Sequence, residues 1–341
     1  MVIGACGYAA TGSSAVFDFL KEFDELQIGN DAEFVYTYKV DGLQDLRYHL
    51  IQAYSKGASG DAAIMRFKQA EKFYRVPFVM KPIPYKEYKR ISDKFLNSII
   101  QDRFIGIENY DYMNRSILRS ILSLGFKKIV AKYYEKLLGR PYNLWPFRPV
   151  YISIEPEEFD EKAKQFIRDI VTAMGVDLSR PVVLNQPFEG NCPENSFMFF
   201  DNPKAIIIDR DVRDIYVAHQ KVYYGEGRHM PRENIYAFIK QFRGVRCHQP
   251  KVNTENKIYV QFETFVLEYE RVSQEIIKFL HLGEHTNPKK YFNPARSINN
   301  IQIYKRYPDL QKDIEILEKE LPEYCFDFSR YTEIKHTGKS F

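Results

Sequence analysis

The sequence predicts a mixed α/β protein with a parallel central sheet, and three observations carry that expectation. Short apolar runs, among them Val2-Ile3-Gly4-Ala5-Cys6, Pro181-Val182-Val183-Leu184 and Lys204-Ala205-Ile206-Ile207-Ile208-Asp209, read as buried strands. Helical patterns follow at Ala15–Phe23, Val212–Ala218 and Val266–Leu280, and strands alternating with helices build parallel sheets. Glycine, serine and arginine cluster where two of these strands end, at Gly7–Ser14 and at Arg210, which is where open α/β sheets bind ligands.

The first fifteen residues form a strand, a loop and a helix. In the loop Gly7-Tyr8-Ala9-Ala10-Thr11-Gly12-Ser13-Ser14, the glycines permit a tight turn and a close approach to an anion. A helix starting at its end presents backbone N–H groups to a phosphate. Ser13 and Ser14 add hydroxyls that donate to a ligand or cap the helix. The spacing is nearly G-x-x-x-x-G-K-[ST], with Ser13 in the lysine position. The N–H cradle is therefore expected without the charge clamp of nucleotide triphosphatases. A turn with a purely structural role would use the same residues.

Leu26-Gln27-Ile28-Gly29 reads as a second strand, with Asp31 and Glu33 beyond its carboxyl end facing the same cleft. From Gly42 to about Trp145 the pattern becomes helical and irregular. Leu43, Leu46, Leu50 and Tyr54 recur at helical spacing, as do Ile117, Leu118, Ile121, Leu122 and Leu124. Lys127, Lys128 and Lys132 precede Tyr133 and Tyr134. The expectation is one domain over 1–341 with a helical insertion at about 42–148 that covers the cleft and shapes an acceptor site. Lysines beside aromatics suit a sugar chain bearing carboxylates. An ordinary amphipathic cap with a solvated basic face accounts for them equally well.

Glu155-Pro156-Glu157-Glu158 opens a helix, with proline in its first turn and acids at its positive end. Its buried stripe runs from Phe159 to Met174. After Pro181–Leu184, Asn185-Gln186-Pro187 sits at the cleft edge, where the amides cap the turn or bind an acceptor. The strand Lys204–Asp209 runs into Arg210-Asp211-Val212-Arg213-Asp214 and a helix. The guanidinium fork of Arg210 matches phosphate geometry, whereas Arg213 and Asp214 are equally suited to pairing with each other. Pro231 begins another helix, and Val266–Leu280 forms the next, ended by Gly283.

Composition excludes several classes. The chain has 341 residues, 15% aromatics and a net charge of +4 with scattered basic residues. It is neither disordered nor low in complexity. The charge suits an anionic cofactor and does not call for nucleic acid. Cys6, Cys192, Cys247 and Cys325 form no C-x-x-C pair, which argues against a zinc site or disulfide scaffold. No apolar run has the length of a membrane span. With a strand starting at Val2, no signal peptide is expected, and the expected location is cytoplasmic.

Four segments, in order, carry a resemblance. Gly12-Ser13-Ser14 matches G-[TS]-[TS]; Arg210–Asp214 is R-D-x-R-D after an apolar strand; Ile258–Phe265 is a strand with a "YEDL"-like turn; Arg296–Lys305 occupies the place of a final nucleotide loop. Together they resemble the sulfotransferases that use 3′-phosphoadenosine 5′-phosphosulfate (PAPS). The resemblance implies a P-loop-like three-layer fold, PAPS as cofactor, adenosine 3′,5′-bisphosphate as product, and sulfonate transfer to a hydroxyl or amine. It places the 5′-phosphosulfate on Tyr8, Ala9, Ala10, Thr11, Gly12, Ser13 and Ser14. It places the 3′-phosphate at Arg210 and at Ala218, and further cofactor contacts at Arg296, Ser297 and Lys305. Related enzymes carry a glutamate after the second strand, which implies Glu33 as general base, with His219 as second choice. A glycan acceptor follows from family analogy alone. Two phosphate contacts are missing: Ala10 stands for the loop lysine and Ala218 for a serine. Lys81, Arg296 and Lys305 are candidate replacements, and Lys81-Pro82-Ile83-Pro84 is faintly similar to K-x-H-x-P. An inactive relative that binds a nucleotide or glycan is the second reading, and a P-loop kinase the third.

Overall fold

The computed structural model describes residues 1–34, 36–70, 83–114, 116–126, 130–139, 148–222, 230–246, 251–331, 334–336 and 338. The strands are β1 (Val2–Gly7), β2 (Gln27–Glu33), β3 (Asp102–Gly106), β4 (Arg148–Ile152), β5 (Val182–Asn185), β6 (Pro203–Asp209) and β7 (Lys257–Gln261). Five of them form a wholly parallel sheet in the order β2-β5-β1-β6-β7. The protein is thus mixed α/β with a parallel central sheet. The middle strand β1 is buried from Val2 to Cys6, and β6 from Ala205 to Asp209, as strands apolar on both faces must be. The chain divides into two compact units, one of residues 1–38 and 167–341, the other of residues 39–166.

In the first unit the sheet packs against the first helix, Ser13–Leu20, through Val16, Phe17, Phe19 and Leu20. The helices Phe262–Leu267 and Tyr269–Leu280 complete this core, with Phe265, Val272 and Ile276 buried in it. A second cluster joins the helices Val212–Val217, Ile235–Val245 and Gln311–Glu320. The helix expected from Pro231 starts at Ile235, where the Asn234 side chain accepts from the N–H groups of Tyr236 and Ala237. The helix expected from Glu155 starts at Phe159. Glu155 and Glu158 both take left-handed φ values, 45° and 54°, which keep the preceding turn out of the helix.

The second unit has its own core, including Leu43, Leu46, Leu50, Ile64, Phe67, Phe95 and Phe166. Besides helices it contains an antiparallel ribbon of β3 and β4, which the sequence pattern did not reveal. Asp61 anchors β4 by pairing with Arg148 at 2.5 Å and accepting from Tyr151 N at 2.9 Å. In the helix Ile117–Phe126 the apolar stripe faces outward: Ile117, Leu118, Ile121 and Leu122 are all exposed. Lys81, Lys127 and Lys128 lie outside the described residues.

Candidate functional site

The Gly7–Ser14 loop is shaped by its own hydroxyls and by one glutamine. Buried Thr11 donates its hydroxyl to Tyr8 O and accepts from Tyr8 N, both at 2.9 Å. The Gln186 side chain accepts from Gly7 N and donates to Ser13 Oγ, each at 3.1 Å. Gln186 thus ties the loop's two ends together. Gly12 caps the first helix at φ 92°, without a side-chain acceptor for the first-turn N–H groups. Those groups open onto a cleft of about 500 Å³.

The far side of this cleft comes from the Tyr291–Asn300 segment, with Arg296, Ser297, Asn299 and Asn300 supplying its polar groups. Asn293 caps the helix Pro294–Ser297 by accepting from Ala295 N at 2.9 Å. Phe262, Tyr291 and Phe292 give the cleft aromatic walls. Its guanidinium groups are Arg210 and Arg296, and no lysine is among the described residues that line it.

The R-D-x-R-D charges hold the walls of this cleft together. Arg210 is buried and donates to the carbonyls of Ala10, at 3.3 Å, and Asn300, linking the first loop to the last. Asp214 accepts from the N–H groups of Gln302 (2.8 Å) and Tyr304 (3.2 Å). Arg213 pairs with Asp211 and Glu318, not with Asp214. Asp211 also caps its helix through Arg213 N. Asp209 accepts from Arg246 (2.7 Å) and Lys251 (2.8 Å). Burial acts to raise the Asp209 pKa, and those two cations more than offset it, holding the carboxyl below its usual range.

Asp214 and Glu263 shift the other way. Both are fully buried, and burial drives their pKa values up towards neutrality. The charges of Asp211 and Asp214 push Glu263 further, and Arg210 opposes the rise in both. A folded-state pKa above the unfolded one favours the native state while the group stays protonated. That contribution is complete below the unfolded value and is lost as pH rises through the raised value. The melting temperature should therefore fall from about pH 4, where these carboxyls titrate in the unfolded chain, to about pH 8, the higher of the two raised values. Each group contributes up to about 1.4 kcal/mol per pH unit. Glu263→Gln should flatten the profile, and a wild-type profile that is already flat would contradict the assignment.

Of the residues singled out from sequence, Tyr8, Ala10, Gly12, Ser13, Ser14, Arg210, Arg296 and Ser297 line this one cleft. Ala9, Thr11, Ala218 and Lys305 do not. Thr11 and Ala218 are buried, and Lys305 is exposed on the turn Ile303–Arg306. Glu33 ends β2, in register with Asn185, which is in turn in register with Ala5 of β1. It is exposed at the sheet edge from which the loop departs, about 10 Å across two strand spacings. His219 is buried after the R-D-x-R-D helix and does not line the cleft. Asp31 pairs with Lys21 at 2.8 Å. Asp18, which also bonds Lys21, lines the cleft and was not anticipated, and neither were Tyr291 and Phe292. The helix-start pair Asn293-Pro294 was the available signal for that segment.

The fold and cleft define a parallel-sheet α/β protein with a cleft, lined by Arg210, Arg296 and the start of the first helix, at the carboxyl edge of its sheet. No protein-family model matches the sequence, and no curated protein matches it. Among solved structures, the sulfotransferase domain from the Synechococcus PCC 7002 olefin synthase is similar at 11% identity and a TM-score of 0.40. That match covers 96% of this chain and 94% of the domain. Among the described residues no acid, histidine and cysteine cluster suits a metal ion, and no helix is long and apolar enough to cross a membrane.

Proposed function

We propose that the cleft binds the adenosine 3′,5′-bisphosphate portion of PAPS, and that the protein transfers sulfonate from PAPS to a hydroxyl or amine, with a glycan as acceptor. One observation carries the reading. The N–H groups at the start of the first helix meet two guanidinium groups across an aromatic-walled cleft of about 500 Å³. Gly12, Ser13 and Ser14 would hold the 5′ phosphate. Arg296, Ser297 and Arg210 would face the 3′ phosphate, and Phe262 with Phe292 would flank the base.

PAPS supplies a sulfonate activated by a phosphate leaving group. The loop N–H groups would stabilise the charge that gathers on that leaving phosphate. Glu33 would take the proton of the acceptor hydroxyl or amine as that group displaces the phosphate from sulfur. Glu33→Gln should lower turnover roughly 10²–10⁴-fold and leave bisphosphate affinity unchanged. Unaltered turnover would remove Glu33 from the reaction. A catalytically silent nucleotide or glycan binder is favoured by one feature, the absence of lysine among the described lining residues. Labelled PAPS offered with a glycan panel separates the two: transfer supports the enzyme, whereas bisphosphate binding without transfer supports the binder. A kinase would need the same lysine clamp.

A further inference from the structure

Two helices of the second unit carry apolar residues where a water-facing helix carries charge. On Ile117–Phe126 the exposed set is Ile117, Leu118, Ile121 and Leu122, from 60% to 80% exposed. On Lys132–Leu138 it is Tyr133, Tyr134, Leu137 and Leu138, again at positions i, i+1, i+4 and i+5. That spacing gathers each set on one face. Exposed apolar faces of this kind mark interaction surfaces.

The sequence around them is strongly basic. Between positions 115 and 140 it has seven lysines or arginines and a single acid, Glu135, an excess larger than the +4 of the whole chain. Lys132 and Lys136 are exposed beside the apolar set of the second helix. We propose that these two helix faces seat the protein on an anionic lipid surface. Apolar side chains would enter the headgroup boundary while the lysines meet lipid phosphates. Tyr133 and Tyr134 suit that boundary, each having an apolar ring and a polar tip. Neither helix is long enough to cross a bilayer, so the mode is lying on the surface, not spanning it. A second copy of the chain is the poorer occupant, because two strongly basic faces would repel. The inference is independent of what the cleft binds.

The full-length protein should sediment with vesicles of phosphatidylcholine mixed with phosphatidylglycerol, remain in solution with phosphatidylcholine alone, and be released by salt. Replacing Lys132 and Lys136 together by glutamate should lower the bound partition at least roughly thirtyfold, the factor for losing two lysines at ~1 kcal/mol each. Leu118→Asp with Leu122→Asp should abolish binding without moving the melting temperature, since both positions are exposed. Equal binding to neutral and anionic vesicles would overturn the proposal. So would failure to bind either, including the case in which Leu118 and Leu122 instead govern self-association in solution.

Discussion

Replacing Glu22 by alanine is expected to cost about 3–5 kcal/mol of stability and to lower the melting temperature by on the order of 10 °C. Glu22 follows the first helix and has no solvent exposure. Its Oε1 accepts from the N–H groups of Tyr291 and Phe292, both at 2.9 Å. Its Oε2 accepts from Lys289 N at 3.1 Å and meets His285 Nε2 at 2.7 Å. Its own carbonyl accepts from Asn287 N and the Thr286 hydroxyl. The His285 ring is stacked on Phe23 at 4.5 Å and set edge-on to Phe19. Alanine would strand three backbone donors, each costing about 1–3 kcal/mol if left unsatisfied. The segment so released carries two walls of the cleft, so nucleotide affinity should fall with stability. Glu22→Gln keeps the shape and should cost less. A chemical denaturation midpoint for Glu22→Ala that corresponds to less than about 1 kcal/mol would contradict the role assigned to it.

Gly12→Val should eliminate cofactor binding. Glycine adopts φ 92° there at no steric cost, whereas a left-handed conformation costs other residues about 1–2 kcal/mol and a β-branched one more. A Cβ at this position would stand 2.8 Å from the Phe262 ring. Moving a packed ring costs about 1–3 kcal/mol. Either adjustment re-aims the N–H groups of Ser13 and Ser14, and losing one charge-assisted contact alone costs roughly 1.5–3 kcal/mol. The expected loss of affinity for adenosine 3′,5′-bisphosphate is at least on the order of 10²-fold. Ser13→Ala keeps the backbone N–H and removes one hydroxyl contact to the phosphate, along with the bond from Gln186, and should weaken binding by about 1 kcal/mol. Calorimetry on both variants checks the order, and a Gly12→Val protein that binds normally would exclude the loop as the phosphate site.

The parallel strands were legible because a strand buried on both faces has no polar alternation to confuse its reading, as in Ala205–Ile208. The loop after β1 was legible because glycine and serine recur there at a spacing that has a mechanism. Arg210-Asp211-Val212-Arg213-Asp214 was legible as a motif, but the partners of its charges were not. Asn300, Gln302, Tyr304 and Phe326 lie about ninety or more residues further on, and several contribute only backbone atoms. Glu22 was invisible for the same reason: its partners are backbone N–H groups that any residue would supply. In the helix Ile117–Phe126 the 3.6-residue period shows which side chains share a face and is silent on what that face meets. The start of the helix at Phe159 depended on the left-handed turn at Glu155 and Glu158, which glutamate does not announce.

Titration calorimetry with adenosine 3′,5′-bisphosphate and ADP tests the central claim most directly. The two ligands differ in where the second phosphate sits, and only the bisphosphate places one on the 3′ oxygen, the group assigned to the arginine side of the cleft. The bisphosphate should bind the wild-type protein more tightly by roughly 10–150-fold, the equivalent of about 1.5–3 kcal/mol for one charge-assisted phosphate contact. Arg296 is exposed at the cleft rim, so Arg296→Ala should leave the fold intact and remove most of that preference. Arg210→Ala is the poorer variant, because it also unties Ala10 from Asn300. A wild-type protein that binds ADP or ATP with Mg²⁺ as tightly as the bisphosphate, or ignores the bisphosphate altogether, would contradict the account.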